Sequence, residues 1–137
     1  MMFWWYASTC QHLGVGGKHP DPKVWDAHKK AMRIYRRLKR FYTQGEFYGL
    51  DETVHAHVLR NTKLKTRNPI AVLNIFNLTA TKVEREIRFK LSKIRLPNNL
   101  RVHCVGVPYR QDGDTITLWV RLPPLSHQLV EVQKSQQ

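Results

Sequence analysis

Paired carboxyl groups can act as general acid and general base, and the chain has ten acidic residues to supply them. They are Asp21, Asp26, Glu46, Asp51, Glu52, Glu84, Glu86, Asp112, Asp114 and Glu131. Asp21 precedes Pro22 and reads as a helix cap. Asp112 and Asp114 flank Gly113 in a turn, and Glu84 and Glu86 fall on the polar face of a strand. Only Asp51 and Glu52 lack a local duty, and neighbours in a turn point apart. No catalytic residue is expected.

Other chemistry is equally incomplete. His55 and His57 stand two apart and face one side of a strand, which suits a metal if His103 or Cys104 supplies a third ligand. A polar outer face explains the pair as well, and no metal or cofactor is expected. Gly14-Val15-Gly16-Gly17 precedes a helix, the usual place for a phosphate, but it lacks the third glycine of a dinucleotide loop and the Lys-Ser/Thr end of a P-loop. Cys10 and Cys104 share no ligand spacing and read as free thiols in a reducing, cytoplasmic setting.

The charge balance admits nucleic acid. There are 23 Lys and Arg against 10 acids, a net charge of +13. Arg33, Arg36, Arg37 and Arg40 form a basic stripe near Tyr35, Phe41 and Tyr42, as in helices that bind nucleic acid. The aromatics fall on the packing side, however, so the stripe reads first as a solvated face and only second as a nucleic-acid site. The apolar start, residues 1–10, is too short to span a bilayer and has no basic leader. No membrane partner is expected.

These residues need elements to hold them. Val24, Trp25, His28, Ala31, Met32, Tyr35, Leu38, Phe41 and Tyr42 recur at helical spacing, and Gly45 stops the run. After Gly45 the texture changes to short strands separated by turns. Weak strand character covers 46–49, and clear strands are expected at 54–59, 70–76, 83–91 and 100–107. A hairpin at Asp112-Gly113 joins 109–112 to 115–121, and 128–132 closes the set. The 70–76 run is almost wholly apolar, so it is predicted as a central strand. The segment 60–68 is polar and basic, a loop.

The fold class expected is α+β: an N-terminal strand and long amphipathic helix, then an antiparallel β-sandwich. The predicted boundaries are 1–44 for strand, Gly-rich loop and helix, 45–132 for the sandwich, and 133–137 for a frayed tail.

The order of these pieces is informative. Phe3-Trp4-Trp5-Tyr6 resembles the last strand of a (β/α)8 barrel, and His19-Pro20-Asp21-Pro22-Lys23-Val24-Trp25 the entry to its last helix. Residues 41–49, Phe-Tyr-Thr-Gln-Gly-Glu-Phe-Tyr-Gly, resemble the helix exit, and 71–78, Ala-Val-Leu-Asn-Ile-Phe-Asn-Leu, a strand of the domain that follows. The chain thus resembles the C-terminal end of bacterial (β/α)8-barrel glycoside hydrolases of the α-galactosidase-like or α-amylase-like kind. The resemblance rests on order and texture.

It implies a non-catalytic β-domain from carbohydrate metabolism: a fragment, a truncated gene or a split subunit. Its partner would be the missing barrel, and self-association would follow in the barrel's absence. Within an intact barrel, Trp4, Trp5 and His12 would contact carbohydrate. The alternatives are a small basic nucleic-acid-binding protein, or a stand-alone carbohydrate-binding sandwich with Trp119 and Tyr109 as its aromatic platform.

Overall fold

The computed structural model describes residues 18, 20–60 and 69–135. The expected N-terminal strand, the glycine loop and most of the 60–68 loop lie outside the described residues. Those described form one α-helix, a short 3-10 helix and eight antiparallel strands in two sheets, an α+β arrangement of mostly β content.

Helix α1 spans Pro22–Thr43. The Asp21 carboxylate accepts the Lys23 N–H at 2.9 Å, so a side chain satisfies one of the helix's free donors. Pro22 fills the first turn, where its missing N–H costs nothing. At the other end the Gln44 N–H donates to the Arg40 carbonyl at 2.9 Å. Gly45 then lets the chain turn sharply, since a Cβ there would lie 2.3 Å from the Phe41 carbonyl oxygen. That oxygen is backbone and cannot swing aside. Gly45→Ala should destabilise the fold by about 1–3 kcal/mol, read as a lowered urea midpoint with an unchanged slope.

The strands are β1 (Glu46–Asp51), β2 (Val54–Val58), β3 (Pro69–Asn77), β4 (Val83–Lys90), β5 (Val102–Val105), β6 (Tyr109–Asp112), β7 (Thr115–Leu122) and β8 (Ser126–Lys134). The larger sheet runs β1-β2-β3-β8-β5 and the smaller β4-β7-β6. Alternation along each strand sends Val54, Ala56, Leu73, Ile75, Val130 and Val132 of the larger sheet into the same buried cluster as Ile87, Phe89, Ile116, Leu118 and Val120 of the smaller. The two sheets therefore share one core.

The long apolar run has a specific cause. β3 is central in the larger sheet and covered on both faces. Ala71, Leu73 and Ile75 enter the shared core. Val72 points the other way, into a second cluster with Leu38, Phe41 and Tyr42 of α1 and with Leu59. Both parities of β3 must therefore be apolar, or hydrogen-bonded within the protein. Burying each large side chain of this second cluster is worth roughly 1.5–3 kcal/mol. The last turns of α1 are thus fastened to the β-structure, and the boundary read at residue 44 separates units that share a core. Ile34 also joins this contact, a position the apolar stripe read from sequence did not include.

Several strand ends differ from expectation. β8 continues to Lys134, because Gln133 pairs with His103 and Lys134 with Val102, and the Ser135 N–H donates to the Arg101 carbonyl. The polar tail read as fraying from 133 is tied down at least this far by main-chain bonds that polarity does not report. β5 covers only the middle of the expected 100–107. Leu91 opens the 3-10 turn Leu91–Ile94 instead of ending β4, and is fully buried there. In the β6–β7 hairpin Asp112 pairs with Thr115, so the two loop residues are Gly113 and Asp114. Gly113 takes φ +62° at the first loop position, and Asp114 does not share the positive φ, the pattern of a II′ turn.

Candidate functional site

Asp51 and Glu46 are occupied by structure. Asp51 accepts from the Thr53 N–H at 2.7 Å and the Arg85 guanidinium at 2.7 Å. Burial alone would raise its pKa, but the Thr53 N–H and the Arg85 cation overcome this and hold it below the usual range. Asp51 thereby closes the β1–β2 turn and fixes it to β4 of the other sheet. Glu46 accepts from Arg60 Nε at 2.7 Å and from the Tyr48 hydroxyl, and these bonds depress its pKa. Arg60 also donates to the Ile94 carbonyl at 2.8 Å and to the Arg95 carbonyl. This residue, read from sequence as the start of a loop, fastens β1 to the 3-10 turn. Glu52 has no such partner among the described residues. Two carboxyls aimed at a common point are not what these contacts describe.

The histidines occupy the outer face of the larger sheet. His57 lies beneath α1 and is 4% exposed, against the solvated polar face that the sequence led one to expect. Its ring meets Tyr42 edge-on at 4.8 Å and Phe47 at 5.3 Å. His55 faces Phe47 at 5.3 Å and Phe76 at 5.5 Å. Between them Asn74, 1% exposed, donates to the Tyr42 hydroxyl at 3.3 Å, while its amide oxygen lies 3.2 Å from His127 Nε2. Burial, reinforced by the His55 charge, lowers the His57 pKa to about 4, and burial lowers that of His127 to about 4. Both rings are neutral at pH 7. His57 packs against Tyr42 of the helix, and His127 lies within hydrogen-bond distance of Asn74 and against Phe76.

The third metal ligand is not brought to this pair. His103 and Cys104 sit on β5, with β3 and β8 between them and β2. That places them about 14 Å away across the sheet. Cys104 points into the shared core, where burial pushes its thiol up to about 12. Iodoacetamide should therefore leave Cys104 unmodified in the native chain and label it after denaturation, as peptide mass spectrometry would read.

Of the four arginines on α1, Arg37 reaches back to pair with Glu131 of β8. Arg33, Arg36 and Arg40 are exposed. The aromatics beside them are engaged: Phe41 and Tyr42 are buried, and Tyr35 stacks on Tyr42 at 5.7 Å. None is presented outward among the arginines for base stacking.

The smaller sheet carries a different feature on its outer face. Trp119 of β7 is 41% exposed beside Glu86, its cross-strand neighbour. An open groove of about 630 Å³ runs past it, lined also by Glu84, Arg121, Gly106, Pro108 and Gln128. Tyr109, the other expected platform residue, pairs with inward-facing Leu118 and packs against the shared core. It belongs to the opposite face, with its hydroxyl 3.0 Å from His103 Nδ1.

Trp4, Trp5 and His12 lie outside the described residues, as do Cys10 and Gly14 to Gly17. No described helix is long and apolar enough to cross a membrane. No protein-family model matches the chain, and no curated protein or solved structure is significantly similar to it.

Proposed function

We propose that this chain is the non-catalytic β-sandwich portion of a glycoside-hydrolase-like protein, with the structural task of holding a long helix against a partner body. The observation that carries this reading is the way α1 is anchored. Two residues, Gln44 and Gly45, separate it from β1. Ile34, Tyr35, Leu38, Phe41 and Tyr42 clamp its C-terminal half to the larger sheet. Among the described residues, neither core cluster takes in Val24, Trp25 or Met32 of its N-terminal half. A helix anchored at one end with apolar side chains along the other is suited to a body beyond the sheets. The resemblance in order of elements makes that body a (β/α)8 barrel.

The acids support the same reading, because Asp51, Glu46, Glu84 and Glu131 are all engaged in ion pairs within the fold. The pure chain should release no chromophore from p-nitrophenyl α-galactoside or α-glucoside. Turnover that disappears in Asp51→Asn or Glu52→Gln would overturn the reading.

A further inference from the structure

We infer that the groove beside Trp119 is a binding site for a neutral oligosaccharide. Side chains alternate along β7, so Ile116, Leu118, Val120 and Leu122 supply the core and Trp119 faces away from it. The core therefore does not account for an indole at this position. Its exposed surface borders a groove whose other side-chain functional groups are two carboxylates, the guanidiniums of Arg85 and Arg121, and a carboxamide.

That combination matches a pyranose. The C–H face of a sugar ring packs on an aromatic face. Around the ring, hydroxyls both donate and accept. Glu84 and Glu86 accept, Arg121 donates, and Gln128 can do either.

The charge pattern separates a neutral sugar from a polyanion. Glu84 is paired with Lys82 at 3.2 Å and with Arg121 at 3.5 Å, and Glu86 with Arg88 at 2.8 Å. Within the lining itself the two carboxylates, Glu84 and Glu86, are matched by two guanidiniums, Arg85 and Arg121, although the whole chain carries +13. A nucleic acid or sulfated glycan would meet Glu84 and Glu86 directly. Exposed ion pairs are weak, so sugar hydroxyls can exchange into them at little cost. This inference rests on the groove's own chemistry and not on the glycosidase reading.

Isothermal titration of the full chain with maltohexaose, cellohexaose and xylohexaose, alongside a heparin hexasaccharide, tests it. At least one neutral hexasaccharide should bind in the millimolar range or tighter. Trp119→Ala should weaken that binding about tenfold or more, and Trp119→Phe should recover most of it. Glycoside turnover is not measured, so a negative result here leaves the glycosidase reading intact. The inference is overturned if no neutral sugar binds, if Trp119→Ala binds as well as the parent, or if only the heparin fragment binds.

Discussion

Asn77→Ala should unfold the protein at markedly lower urea, with a loss of about 3 kcal/mol or more. Asn77 ends β3 and is 2% exposed. Its amide nitrogen donates to the carbonyls of Thr81, Leu122 and Pro123 at 2.8, 3.1 and 2.8 Å. Its amide oxygen accepts from the Thr79 N–H at 3.0 Å and the Thr79 hydroxyl at 2.7 Å. Leu122 ends β7, so one side chain ties the larger sheet to the smaller where the chain crosses between them. Alanine removes the donor from the buried Leu122 carbonyl and from the part-buried carbonyls of Thr81 and Pro123, and Asn77→Asp should be no better, since it turns a negative charge toward them. A urea midpoint for Asn77→Ala within experimental error of the parent would show that water replaces these bonds freely.

Acid should weaken the fold through the histidines of the larger sheet's outer face. His57 titrates near 6.5 when unfolded and near 4 when folded, and His127 shifts alike. Between these values the unfolded chain binds more protons, so stability is full above pH 6.5, declines as pH falls through the window, and levels off below 4. The loss attributable to His57 approaches about 3 kcal/mol. His127 is only half-buried and should contribute less. His57→Phe keeps an aromatic ring against Tyr42 and Phe47 and removes the proton site. The urea midpoint of the parent should fall between pH 6.5 and 4, and that of His57→Phe should fall distinctly less. Parallel curves would place the acid sensitivity elsewhere.

The two residues behind these effects show what could be read from sequence. Elements set by local patterns were legible: the Asp21-Pro22 cap, the stripe from Leu38 to Tyr42, the 70–76 run and the hairpin glycine. Each is a preference expressed within a few residues. The contacts of Asn77 were not legible, because its partner Leu122 lies 45 residues away and only the fold brings them together. A partial signal existed in Thr79, placed where an Asx turn wants an N–H. Asp51 is similar: Thr53 advertised a local turn, while Arg85, 34 residues on, did not.

The histidines were misjudged for a related reason. Alternation placed His55 and His57 on the outer face correctly, but outer was equated with wet. The face is covered because α1 folds back over it, and strand periodicity carries no record of a helix docked from outside. The apolar character of Val72 was the available clue, since a solvated outer face has no need of it. The groove at Trp119 was half legible. The indole's exposure follows from alternation, whereas the loss of Tyr109 to the opposite face depends on the register of β6 against β7.

The central claim is that the N-terminal half of α1 is a contact surface whose proper partner is another body. Sedimentation velocity of the purified chain at micromolar concentration tests it most directly. Val24, Trp25 and Met32 are half-buried and join neither core cluster of the described residues; on the proposed reading this face serves a separate body, so the chain should sediment as species heavier than the 16.2 kDa monomer. Trp25→Lys combined with Met32→Glu should return it to a monomer with its urea midpoint preserved. A clean monomer from the parent chain, unchanged by those substitutions, would contradict the claim.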